Sequence, residues 1–256
     1  MNNKRLLTIS IFIVTIFIFS FIYKQRRHLI NIDTNKEISQ EQERNFVALG
    51  ASITKANNLS PKLTGDNAEY SFSTGTKIDS VYLYLKKRGE LLIPRNLAQS
   101  GADSRKVLSQ QVPNAISLNP KYITIDIMSD IFEEEEPVKF KQNLTEIVKQ
   151  VKTRDTVVLI STYPNIVSMR KAPYPSCSED KLNFGVDNIN EKKIKLFNEV
   201  IKEIADTQGL ILVDIYSVLG TQDVSDYDCI HPNIEGQKKL AKAWISALEE
   251  KVVNKD

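Results

Sequence analysis

Phe46-Val47-Ala48-Leu49-Gly50-Ala51-Ser52-Ile53-Thr54 decides how this chain is read. Four apolar residues run without alternation into a glycine, the pattern of a short strand buried on both faces. Small residues follow and let the backbone turn sharply. Ser52 then stands just past the strand end, where a serine is either a helix cap or a hydroxyl aimed at a cleft.

Similar runs recur downstream. Leu91 to Leu97, Tyr122 to Ile127, Val157 to Ile160 and Leu210 to Val213 read as four more strands. Between them lie helical patterns over Ile78 to Arg88, Ser104 to Val112 (ended by Pro113), Pro137 to Val151 and Lys193 to Ala205, with a last helix from about Asn233 to Glu250. Lys55 to Lys77 and Asn165 to Asp187 read as long loops. Apolar strands alternating with helices predict one α/β domain, a flavodoxin-like three-layer α/β/α sandwich around a five-stranded parallel sheet. Ligands of such sheets sit at the carboxyl ends of the strands. That points to Ser52, Ser100-Gly101, Met128-Ser129-Asp130 and the loop before the last helix.

That loop reads Asp228-Cys229-Ile230-His231-Pro232. In a turn, residues three apart share a face. The Asp228 carboxylate can then bond the imidazole of His231, fix its tautomer and stabilise its cation, as the acid of a nucleophilic triad does. The other histidine, His28, lies in a basic cluster and needs no function.

Together these stretches resemble the SGNH/GDSL hydrolase family over roughly Asn45 to Val252. Gly50-Ala51-Ser52-Ile53-Thr54 looks like its first block, Asn96 to Gly101 the second, Tyr122 to Asp130 the third and Asp228 to Pro232 the fifth. The resemblance implies Ser52 as nucleophile, His231 as general base and Asp228 as its orienting acid. It implies the N–H groups of Ser52 and Gly101 as oxyanion donors. Two departures stand out. Ala51 replaces the family's usual Asp. Met128-Ser129-Asp130-Ile131 replaces G-x-N-D, so either Asp130 or Ser129 takes the place of the oxyanion-binding Asn. The implied reaction is hydrolysis of a small-molecule, glycan or lipid ester, with no metal and no organic cofactor. An O-acyltransferase acting on cell-surface glycan and a catalytically impaired binding domain are the alternatives.

Leu6 to Tyr23 is a charge-free, mostly apolar run of about 18 residues, long enough to span a bilayer. No A-x-A-like cleavage site follows. Residues 1–24 therefore read as an uncleaved single-pass membrane anchor, 25–44 as a polar linker and 45–256 as the hydrolase domain. The flanking charges, Lys4 and Arg5 before the span and Lys24, Arg26 and Arg27 after it, are nearly balanced and taken literally lean towards a cytoplasmic body. A short tail before a first span commonly stays inside, and on that ground an extracytoplasmic domain is expected. The net charge of +2, with Lys and Arg interleaved among Asp and Glu, argues against a nucleic-acid partner. Cys177 and Cys229 fall on two loops at the same end of the sheet. In an exported domain they are candidates for a disulfide that steadies the His231 loop; in a reducing compartment they are two free thiols.

Overall fold

The computed structural model describes residues 43–55, 77–132, 137–174, 177 and 189–253. Leu6 to Tyr23, the linker up to residue 42 and the segment 56–76 lie outside the described residues. Among the described residues no helix is long and apolar enough to cross a membrane.

Five strands form one sheet: β1 (Arg44–Gly50), β2 (Leu92–Asn96), β3 (Pro120–Asp126), β4 (Val157–Ser161) and β5 (Ile211–Val213). Their order is β2-β1-β3-β4-β5 and every pairing is parallel. Phe46 to Leu49 and Tyr122 to Asp126 are buried throughout. Successive strand residues point to opposite faces, so both faces of the central strands are covered. The helices are α1 (Ser52–Lys55), α2 (Lys77–Lys87), α3 (104–117), α4 (Pro137–Val151), α5 (Ile166–Met169), α6 (Glu191–Gln208) and α7 (Ile234–Val253). α2 packs against α7, while α3, α4 and α6 pack in series. Phe140 of α4, Tyr163 after β4 and Phe197 of α6 form a buried aromatic cluster, with ring centroids 5.0–5.9 Å apart. Trp244 of α7 is wholly buried.

Three boundaries differ from the sequence reading. The first strand begins at Arg44, inside the expected linker, because its guanidinium ties down to the carbonyls of Pro120 (2.6 Å) and Asp155 (3.2 Å). Pro113 does not end its helix. α3 passes from Ser104–Lys106 through a π-helical turn, Val107–Gln111, into Val112–Ser117. Proline clashes with the carbonyl four residues back and lacks an N–H; here it is the second residue of the stretch that follows a widened turn, where both demands relax. The loop after β4 also holds α5, whose Asn165 cap accepts the N–H of Ser168 at 3.0 Å.

The chain order reverses between β1 and β3. In a 2-1-3-4-5 sheet that reversal opens a crevice beyond the carboxyl ends of those two strands. Ser52 follows one of them and Ser129 the other.

Candidate active site

The turn carrying Ser52 is built on Gly50. Its φ is +149°, and a Cβ there would land on the Asp126 carbonyl oxygen and lie 2.9 Å from Thr54 Oγ1. Only glycine tolerates that backbone and that approach. Gln111, buried on the π-turn of α3, grips the same residue twice. Its Oε1 accepts the Gly50 N–H and its Nε2 donates to the Gly50 carbonyl, both at 2.9 Å. The Ala51 N–H reaches the Asp126 carbonyl at 3.3 Å. α1 then starts at Ser52 and is held at its far side. Asn96 Nδ2 donates to the Thr54 carbonyl at 3.1 Å, and Gln237 Nε2 of α7 to the Ile53 carbonyl at 3.3 Å.

Beyond β2 the chain keeps following β1. The Leu97 N–H bonds to the Ala48 carbonyl (2.9 Å) and the Gln99 N–H to the Gly50 carbonyl (3.1 Å). It turns at Gly101, whose φ of +68° calls for glycine although a side chain would meet open space.

After β3 a 3₁₀ turn, Ser129–Phe132, separates the two rival oxyanion residues. Ser129 lines the crevice. Asp130 is fully buried and turned to the start of α3. Its Oδ1 and Oδ2 accept the Ser104 N–H at 3.0 and 2.9 Å, and its Oδ1 accepts the Ser104 hydroxyl at 2.5 Å. A carboxylate suits the partial positive charge of a helix start. Of the two residues that could take the place of the oxyanion-binding Asn, Asp130 turns its carboxylate to the start of α3, while Ser129 lines the cavity.

Asp228 and His231 sit in the loop before α7. Asp228 Oδ2 lies 2.6 Å from His231 Nδ1. Asp228 Oδ1 accepts the backbone N–H of Ile230 (3.1 Å) and His231 (3.0 Å). Burial by itself raises the Asp228 pKa. The hydrogen bonds from the His231 ring and from these two N–H groups outweigh it and hold the carboxyl below its ordinary value. A carboxylate only accepts, so the His231 ring donates to it from Nδ1.

This loop is braced in several places. Val224 and Pro232 form an antiparallel bridge, and the Ser225 N–H reaches the His231 carbonyl at 2.8 Å. Asn233 donates to the carbonyls of Gln222 (2.8 Å) and Val224 (3.1 Å), while its Oδ1 caps α7 at the Gly236 N–H (3.0 Å). Cys229, at φ +61°, forms a disulfide with Cys177, their Cα atoms 5.5 Å apart.

Ser52, Ser100, Gly101, Ser129, Asp228 and His231 all line one cavity of about 280 Å³, with apolar walls from Ala51, Ile53, Met128, Phe132 and Ile230. Two larger surface hollows, of about 550 and 420 Å³, lie along α6 and hold no histidine. Among the described residues no cluster of three or more His, Cys, Asp or Glu is placed to hold a metal ion. Sequence reasoning did not find Gln111. Its one signal is a polar side chain four residues after the core residue Val107, on the buried face of a helix.

The cavity at the carboxyl end of this flavodoxin-like sheet thus gathers a serine and an Asp–His pair. The chain belongs to the GDSL-like lipase/acylhydrolase family, whose model matches residues 48–239, about three quarters of the 256 residues, and it is a carboxylic ester hydrolase by class. Solved structures share the fold at low identity. TesA is 19% identical with a TM-score of 0.60, covering 81% of this chain and 99% of its own. A lipase/acylhydrolase from Enterococcus faecalis is 18% identical with a TM-score of 0.60, covering 81% and 96%. Axe2, an acetylxylan esterase from Geobacillus stearothermophilus, is 16% identical with a TM-score of 0.59, covering 80% and 93%. No curated protein matches the chain in sequence.

Proposed function

We propose that the protein cleaves carboxylic esters through a Ser52–His231–Asp228 triad, passing the acyl group to water. The observation that carries this reading is the 2.6 Å contact from Asp228 to His231 Nδ1, at the wall of the cavity that Ser52 also lines. His231 Nε2 takes the Ser52 proton as Oγ attacks the ester carbonyl, then gives it to the departing alkoxide oxygen. Water, deprotonated by the same nitrogen, attacks the acyl-enzyme; the acid leaves and Ser52 regains its proton. The backbone N–H groups of Ser52 and Gly101 and the Ser129 hydroxyl are the oxyanion donors in this scheme. The location of Ser129 at the cavity supports its role in place of the family's Asn.

The disulfide supports a domain outside the cytoplasm, since such bonds persist in oxidising compartments. It agrees with a membrane anchor over Leu6 to Tyr23. An acetylxylan esterase among the fold neighbours makes O-acetyl groups on surface glycans the first substrates to try, with lipid and small exogenous esters next.

The test is a fluorophosphonate probe on the full-length protein. Wild type labels at Ser52 and hydrolyses p-nitrophenyl acetate. Ser52→Ala does neither, with a loss of about 10⁵- to 10⁶-fold in kcat. An alanine variant that labels and turns over like wild type rules the triad out.

A further inference from the structure

Asp126 is the last residue of β3, and no step of the ester chemistry uses it. It is 2% exposed, and Tyr122 to Ile125 before it in the strand are buried too. A carboxyl group in such surroundings costs free energy unless its oxygens are bonded. Here each oxygen takes a hydroxyl: Thr54 Oγ1 donates to Oδ2 and Ser161 Oγ to Oδ1, both at 2.9 Å. The main-chain carbonyl of the same residue accepts the Ala51 N–H, and it is the atom that forbids a side chain at Gly50.

Asp126 thus holds the chain on both sides of Ser52, at Ala51 through its backbone and at Thr54 through its side chain. α1 is four residues long, about one turn, and a single turn has too few internal hydrogen bonds to hold its own direction. The orientation of Ser52 is set from outside the helix. The other hydroxyl, Ser161, ends β4 and only knits the two strands together.

We propose that Asp126 is a positioning residue for Ser52. Its carboxyl group fixes the rotation of α1 through Thr54, and so the aim of the serine Oγ, without touching substrate. This rests on Ser52 being the nucleophile. A carboxyl that merely glues the sheet would affect stability alone. One that aims Ser52 affects the chemical step, and does so through Thr54 and not through Ser161.

The experiment compares Asp126→Ala, Asp126→Asn, Thr54→Val, Ser161→Ala and the Asp126→Ala/Thr54→Val double variant of the full-length protein. It reads kcat and KM on p-nitrophenyl acetate, the rate of fluorophosphonate labelling, and Tm. Asp126→Ala lowers kcat and labelling about 10- to 100-fold, with KM within about twofold. Thr54→Val lowers them similarly, and the double variant is no slower than Asp126→Ala, because both changes break one link. Asp126→Asn recovers most of the rate, since its amide accepts one hydroxyl bond and donates the other. Ser161→Ala lowers Tm and leaves kcat alone. Wild-type kcat in a folded Asp126→Ala, losses that multiply in the double variant, or an equal rate loss in Ser161→Ala would each overturn the proposal. Should Asp126→Ala not fold, Thr54→Val decides: an unchanged kcat there overturns it too. A wild type that does not label at Ser52 defeats the ester-hydrolase reading itself; a labelled wild type with an unaffected Asp126→Ala defeats this inference alone.

Discussion

Ser52 and His231 line one cavity from walls of different construction. The Ser52 turn hangs from the sheet. Gly50 is the last residue of a central strand, its peptide is clamped by Gln111, and its neighbours bond to β3 and to the chain beyond β2. The Asp228–His231 loop is tied in another way. Among the described residues its backbone bonds run to near neighbours such as Ser225, and it is held by a β-bridge, the Asn233 cap and the disulfide. Sheet ends are rigid because many residues share the strain. A loop held at a few points keeps its shape only while each point holds. The Asp228–His231 half is therefore where small chemical changes act most selectively.

The largest break strikes the loop half. Asp228→Asn keeps the shape but offers His231 an amide in place of a carboxylate. The imidazole loses its tautomer control, and kcat on p-nitrophenyl acetate falls by about 10⁴-fold. A fall below about tenfold would mean that Asp228 is not the orienting acid.

A smaller effect separates the two residues after β3. Ser129→Ala removes one oxyanion donor and lowers kcat by about 10²-fold, with Tm little changed. Asp130→Asn does the reverse. It weakens the bonds to Ser104 and lowers Tm, while kcat stays close to wild type, because the carboxyl lies at α3 and away from the cavity. A faster Asp130→Asn enzyme would place Asp130 at the oxyanion after all.

The mildest test sharpens the contrast itself. Cys177→Ser opens the link to Cys229 and costs about 3 kcal/mol, about 10 °C in Tm. Amide exchange should rise over residues 225–231 and stay unchanged over 47–51. Equal rises in both stretches would show that the two walls share their support.

The same contrast explains what the sequence could tell. β1, Gly50 and Ser52 were legible because a double-sided apolar run followed by small residues is a local pattern. Asp228 and His231 were legible because their pairing needs only three residues. The choice between Ser129 and Asp130 was not. It turns on Ser104, 26 positions away, whose N–H and hydroxyl take up the Asp130 carboxyl. Gln111 was hidden for the same reason, its partner lying 61 positions back. Pro113 misled because proline usually stops a helix, and a π-turn is not written in any short pattern. The cysteine pair was legible as a neighbourhood, since both loops lie at one end of the sheet; whether it closes depends on the compartment as well as on the residues.

The bond from Gln237 to the Ile53 carbonyl joins positions 184 apart. A ribosome adding about 5–20 residues per second needs about 10–40 s to cover that distance. On the triad reading, Ser52 is made early and waits through this interval with no base beside it. α7, which carries Gln237 and packs on α2 and β5, follows Ile53 by that interval. On that reading the nascent chain stays unable to cleave an ester until residues 228–237 have been made and have docked.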